Sequence, residues 1–464
     1  MAQSDAIRND GSRLTAAAIV DGDEPILRID ARRSKGNLLP PADGATPVDP
    51  PAMASPPAAP SGHPREGGLL GALRSGAWLR PGRVRAYCRI FLLMDVLAVI
   101  LLAATASGPL DQWQRPLGTD FISFYAAGRL AASDRPADAY SPERHEAAER
   151  EVGAFAPDLY YAFYYPPPFL LLCRLLAVPP YLVALALWIG GGATLYALAI
   201  RAIPPDRAAL LPALAFPACL LCAGHGQTAF LTAALFGGGT LLVDRRPGLA
   251  GGCFGLLCLK PHLALLVPVA LIAGRRWRAA AAAAAVAASL ALAATLAFGT
   301  DIWPAYAKIV PEAQAGFAAG RVEFWKMASV FGAARLLGVG AGTAGLLQFA
   351  AAVAAAVVVV ILWSGRASAG LRNAGLIAGS LAASPLLLDY DLVAVAVAVA
   401  WMCTDSRRFG FLEWEKSLLA LLFVMPLISR PAGSLAPIPL AALVLPTLLV
   451  LVILHFIRAR EVAR

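Results

Sequence analysis

The stretch AGTAGLLQFAAAVAAAVVVVILW, residues 341–363, holds no charged side chain. Coiled as a helix rising about 1.5 Å per residue, it crosses the roughly 30 Å hydrocarbon core of a bilayer. Similar apolar runs occur at 90–107, 166–178, 181–200, 208–223, 227–243, 248–273, 279–298, 373–388, 390–404, 416–430 and 437–457. Lipid offers no partner to a free backbone N–H or C=O, so each run must close its hydrogen bonds internally as a helix. The expected fold is an all-α polytopic membrane protein with about 10–13 transmembrane helices. Composition agrees: 58% of the 464 residues are hydrophobic and 15% are charged, against about 25% charged in soluble domains. An ordinary soluble enzyme is excluded.

Charge sets the orientation. The net charge of +9 is gathered in short clusters beside the apolar runs, not along one face, which argues for membrane orientation and against nucleic acid. Residues 1–73 are polar and rich in Pro and Ala, lack apolar periodicity, and read as a disordered cytoplasmic tail ahead of a membrane domain at 74–464. Alternation from that start puts GRRWR (274–278), Arg366 with Arg372, Arg407 with Arg408, and Arg458, Arg460 and Arg464 on the cytoplasmic side. It puts Arg201, Arg207 and Asp244-Arg245-Arg246 outside, against the rule, in the part of the chain that follows the short second run. The long loops 108–165 and 299–340 fall on the outer face. DFISFYAAGRL and SPERHEAAEREV in the first of them read as amphipathic interfacial helices. Seven cysteines lie in or against apolar segments and suggest packing, not a disulfide framework, and the Cys219/Cys222 spacing lacks a second metal-ligand pair.

Several polar residues stand out against this background. Asp120 follows the first span by about a dozen residues and is flanked by Phe121, Phe124 and Tyr125, a setting for a general base. The plain alternative is a helix cap, because Thr119-Asp120 opens a helical pattern. The run YYAFYYPPPFLLL, with Tyr165 before Pro166, suits either an interfacial aromatic belt or stacking on sugar rings. His225 and Gln227 interrupt apolar sequence in GHGQ and suit either a tight turn or a ligand-lined cavity. Lys260, followed by Pro261 and His262, sits mid-span, where an unpaired ammonium costs several kcal/mol and Pro261 breaks the helix. It requires an anion, either a phosphate or a carboxylate such as Asp389 or Asp391. Asp389-Tyr390-Asp391 after Ser384-Pro385 places two acids at an apolar boundary, to bind ligand or to cap the next span. Phosphate-binding glycine loops, HExxH and serine nucleophile elbows are missing, which disfavours nucleotide chemistry.

TDFISFYAAGRL, a later DAY, YYPPPFLLL, GHGQTAFL, LKPHLALLVPVALIAGRRWRA and SPLLLDYDLV occur here in one order over about residues 87–430. In that order they resemble glycosyltransferase family 87, membrane mannosyltransferases that use polyprenyl-phosphate-linked sugars. The resemblance implies a C-type glycosyltransferase fold and an outward-facing site in the plasma membrane. It implies transfer of a hexose, by family mannose, with inversion to a lipid or glycan acceptor. It makes Asp120 the catalytic base and maps Lys260, His225 and Gln227 onto positions that resemble family site residues; Tyr125, Tyr165, His262, Asp389, Tyr390 and Asp391 are expected beside them around substrate. No metal and no cofactor are expected. Better-known members carry Trp and His after the Ser-Pro, where this chain has Leu388 and Tyr390. Any role of that His is then lost here or passes to Asp389, Tyr390 or Asp391. A transporter or lipid flippase is the alternative class; the chain shows no inverted repeat of the kind transporters often carry.

Overall fold

The computed structural model describes residues 68–462 apart from 154, 157, 158, 205, 206 and 366. Most of the tail expected to be disordered, residues 1–67, lies outside the described residues. Its last part is α1 (Leu69–Ser75), followed by α2 (Pro81–Ala104). Among the described residues there is no β-sheet, only isolated bridges such as Met327 with Leu388. The chain is an all-α polytopic membrane protein.

After α2 come α3 (Phe121–Ala131), α4 (Pro142–Arg150), α5 (Pro167–Leu176) and α6 (Tyr181–Ala202). Next are α7 (Leu210–Leu214), α8 (Pro217–His225), α9 (Ala229–Leu242), α10 (Pro247–Leu256), α11 (Val267–Ala273) and α12 (Trp277–Phe298). The remainder is α13 (Ile302–Ala319), α14 (Val330–Leu336), α15 (Ala341–Ser364), α16 (Ala369–Ala383), α17 (Val393–Phe409), α18 (Glu415–Leu435) and α19 (Val444–Val462). Among the described residues, six helical segments are long and apolar enough to cross a membrane alone: α2, α6, α12, α15, α18 and the segment Leu440–Glu461 that contains α19. The segments Arg207–Leu214, which contains α7, and Pro217–His225, which is α8, are apolar enough to cross together and meet at a bend of 56°. The shorter α9, α16 and α17 run between the same two ends of the bundle, as their end contacts show below.

One end is rich in arginine. Asp244 binds Arg276 at 2.6 Å and Arg372 at 2.5 Å. Trp363 Nε1 donates to the Arg372 carbonyl, and Trp401 Nε1 and Asn373 Nδ2 both donate to Thr240. Arg458 donates to the carbonyls of Gly410 and Phe411, and Arg74 pairs with Glu413. The opposite end carries Asp120, His225 and Arg430, held together by hydrogen bonds from the turn after α8 and from α18.

These contacts correct the expected crossing pattern in two places. The run 166–178 does not cross: α5 has 10 residues, about 15 Å of helix. Both its flanks lie at the Asp120 end, where Tyr165 Oη donates to Gln227, Tyr125 Oη to the Pro179 carbonyl and Tyr181 Oη to the Leu117 carbonyl. Removing that crossing inverts α6 to α9 and brings Arg201 and Arg207 to the arginine-rich end with Asp244. The run 248–273 is not one helix either. It starts and finishes at the arginine-rich end, where Asp244 meets Arg276, and breaks midway at Lys260 between α10 and α11. The two corrections cancel in parity, so every later segment keeps its expected direction.

Packing explains the tight pairs. Gly251 and Gly255 let α10 lie directly on the alanine-rich α12; a Cβ at Gly251 would stand 2.4 Å from the Ala279 carbonyl oxygen and one at Gly255 2.6 Å from that of Ala283. The expected amphipathic interfacial helix over DFISFYAAGRL is corrected as well. α3 is covered on nearly every side, with Phe121, Ile122, Phe124, Ala126, Ala127 and Ala131 buried. A Cβ at Gly128 would fall 2.0 Å from the Cys173 carbonyl oxygen of α5. Together with Phe163, Phe169, Phe298 and Ile302, these residues form a second core at the Asp120 end, separate from that of the main bundle.

Candidate active site

The site forms where two glycine turns meet. Gly118 (φ +66) precedes α3 and Gly226 (φ +65) ends α8; a Cβ at Gly226 would stand 2.6 Å from Phe121 Cβ and 3.4 Å from Gly118 Cα. A side chain at either position would push the turns apart. Their approach lets the Asp120 amide donate to the His225 carbonyl at 3.0 Å, and Trp188 Nε1 donate to the Gly226 carbonyl at 2.9 Å.

Asp120 stands at the N-cap position of α3, yet its carboxylate caps nothing in the helix. One oxygen, Oδ2, accepts from Gln227 Nε2 at 2.8 Å, while Oδ1 lies 3.9 Å from His225 Nδ1. The side chain keeps 29% of its surface exposed. The orientation of Gln227 follows from its neighbours. Its Oε1 accepts from the Thr228 amide (3.1 Å), which can only donate, and from Tyr165 Oη (2.9 Å), so Nε2 must face Asp120. Tyr165 is stacked on Phe169 at 4.4 Å and edge-on to Phe124 at 5.0 Å. Its ring is taken up by protein and its hydroxyl is what reaches the site, so the stacking surface expected for a sugar is not offered by Tyr165.

His225 bridges Asp120 to a cation that sequence reasoning missed. Arg430 Nη2 lies 3.0 Å from His225 Nε2. A guanidinium only donates, so Nε2 is the acceptor, the ring proton sits on Nδ1, and Nδ1 donates to Thr119 Oγ1 at 2.7 Å. Arg430 also grips Asp389 with two bonds, Nε to Oδ2 at 2.6 Å and Nη2 to Oδ1 at 3.0 Å. Asp389 is fully buried, while the arginine side chain remains 24% exposed. The available signal was an arginine inside the apolar segment LLFVMPLISRPAGSL, between Pro426 and Pro431.

Beneath this layer, Lys260 Nζ meets Asp391 Oδ1 at 2.5 Å, with side-chain exposures of 7% and 0%. Asp391 is one of the two carboxylates expected as a partner for Lys260. The Tyr390 ring lies 5.1 Å from Lys260 Nζ and 5.9 Å from the His225 ring, in reach of both the Lys260–Asp391 pair and the Arg430 layer. Asp391 Oδ2 also accepts from the Leu388 amide at 3.3 Å, the capping role weighed for it. His262 Nδ1 bonds Ser384 Oγ at 2.8 Å and ties the Lys260 break to the Ser-Pro segment. Tyr125 does not join the group; its hydroxyl is used on the Pro179 carbonyl and its ring packs against Phe121 and Tyr181.

In this polytopic membrane protein a partly exposed carboxylate, an imidazole and a guanidinium stand in one layer over two buried ion-paired acids, Asp389 and Asp391. Residues 163–388 match the family model described as Glycosyltransferase family 87, and over that stretch the chain is similar to that family. No curated protein and no solved structure matches the chain.

Proposed function

We propose that this chain transfers a hexose, mannose by family implication, from a polyprenyl-phosphate-linked donor to a lipid or glycan acceptor, inverting at the anomeric carbon with Asp120 as base. One observation carries the reading: an aspartate at a helix start whose carboxylate is withheld from capping and held by Gln227 Nε2 at 2.8 Å. Fixing Oδ2 leaves Oδ1 to take the acceptor hydroxyl proton while that oxygen attacks the anomeric carbon. The bond from that carbon to the phosphate oxygen breaks, and the lipid phosphate departs with the electron pair. A phosphate is a good leaving group, so the protein supplies a base and charge stabilisation and needs no general acid. The arginine-rich end faces the cytoplasm of the plasma membrane by the positive-inside rule, which turns Asp120 outward.

The test is mass spectrometry of envelope glycolipids and glycans from cells lacking the chain. One class should lack a single hexose, restored by the wild-type chain and not by Asp120→Asn, whose transfer rate is expected to fall about a hundredfold or more. Restoration by Asp120→Asn at wild-type levels would remove Asp120 from the reaction.

A further inference from the structure

The reading above leaves open which cation meets the donor phosphate. Sequence points to Lys260, but that ammonium is buried and already matched by Asp391. Lys326 is 28% exposed and engaged with Glu323 at 2.8 Å. Arg430 differs from both. Its Nε and Nη2 are fixed from below by buried Asp389 and from the side by His225. Nη1 has no hydrogen-bond partner among the described residues. An arginine locked through two of its three nitrogens presents the third in a set direction, and its charge cannot be lost by deprotonation.

We propose that Arg430 is the phosphate-binding residue, receiving an anionic oxygen of a prenyl phosphate on Nη1 while Asp389 and His225 hold the guanidinium in place. The inference rests on the lipid-linked donor proposed above. The same contacts give the site an order. Phosphate and base lie on opposite sides of His225, with Arg430 on Nε2 and Thr119 and Asp120 on the Nδ1 side. A sugar lying alongside the His225 ring would have its leaving group toward the arginine and its far face toward Asp120, as inversion requires. Buried Asp389 keeps Arg430 from collapsing onto Asp120, where it would quench the base.

The test measures binding of undecaprenyl phosphate and undecaprenol to the purified full-length chain in nanodiscs. The wild type should prefer the phosphate. Arg430→Gln alone leaves Asp389 buried without its partner and risks misfolding, so the deciding variant is Arg430→Gln/Asp389→Asn, which removes both charges. With a wild-type-like melting temperature it should bind the phosphate about tenfold or more weakly, with undecaprenol binding unchanged. Arg430→Lys, a point charge without the fork, should fall between them. Lys260→Met/Asp391→Asn should keep the preference. A folded double variant at 430 and 389 that still prefers the phosphate overturns the assignment of Arg430. A wild type with no preference overturns the lipid-phosphate donor itself, and the inference with it.

Discussion

Gln227 does for Asp120 what a helix amide would otherwise do, and the difference is chemical. A carboxylate capping its own helix has its lone pairs committed to backbone N–H groups; one held on a single oxygen by an amide side chain keeps the other for a proton. Gln227→Leu should therefore lower the transfer rate about ten- to a hundredfold through loss of aim, with donor affinity nearly unchanged. A fall in donor affinity with the rate unchanged would place Gln227 on the donor instead. Away from Asp120, Glu149 and His145 form a fully buried pair on α4, Oε1 to Nδ1 3.7 Å. Burial pushes the Glu149 carboxyl up from 4.5 to about 8 and the His145 imidazole down from 6.5 to about 4. Between about pH 6.5 and 8 the folded chain then holds a proton on Glu149 that the unfolded chain has lost, so stability falls as pH rises through that window. Below that window His145 contributes the opposite slope, rising from about pH 4 to 6.5, so the two contributions offset each other between about pH 4.5 and 6.5. Melting temperatures should decline between pH 6.5 and 8 in the wild type and stay flat in Glu149→Gln. Equal slopes in the two would mean that Glu149 is ionised when folded.

At the scale of elements, the break at Lys260 is a joint between half-helices. Pro261 removes a backbone donor, 3₁₀ turns replace the helix over Leu257–Leu259 and Pro261–Ala264, and the Lys260 side chain crosses to Asp391. The pair locks α10 and α11 to the start of α17. Lys260→Met leaves a buried, unpaired carboxylate and should destabilise the chain by about 3–5 kcal/mol, whereas adding Asp391→Asn should return most of that loss. Unfolding in detergent checks this. A stable single variant would show that Asp391 finds another partner or a proton. The contact of α10 with α12 rests on Gly251 and Gly255, so Gly255→Val should cost about 1–3 kcal/mol by overpacking against the Ala283 carbonyl and Val286.

Across the whole molecule, the decisive fact is which loops share an end. Asp244 with Arg276 and Arg372 places 244–246 beside the other arginine clusters, so the two exceptions to the positive-inside rule disappear once 166–178 is read as a helix that turns back. In a chain stripped of its seven cysteines, single cysteines at Arg245 and Arg407 should label from one side of the membrane and one at Ala318 from the other. A label at Arg245 from the side of Ala318 would restore the original crossing at 166–178. Much of this protein was legible in its sequence. Helical, membrane-spanning character is a sum over contiguous residues, because each apolar side chain adds its own transfer free energy regardless of the rest of the fold. Rare polar residues in or beside such runs mark themselves for a similar reason: His225, Gln227, Lys260, Asp389 and Asp391 are costly wherever lipid surrounds them. The partners of those residues were not legible. Lys260 and Asp391 are 131 positions apart, and His225 and Arg430 are 205. The choice of Asp391 for Lys260, the withdrawal of Asp120 from its helix, and the return of α5 to the side it left all depend on chain segments meeting in space. Local hydropathy is blind to such meetings, and only the packed tertiary structure decided them.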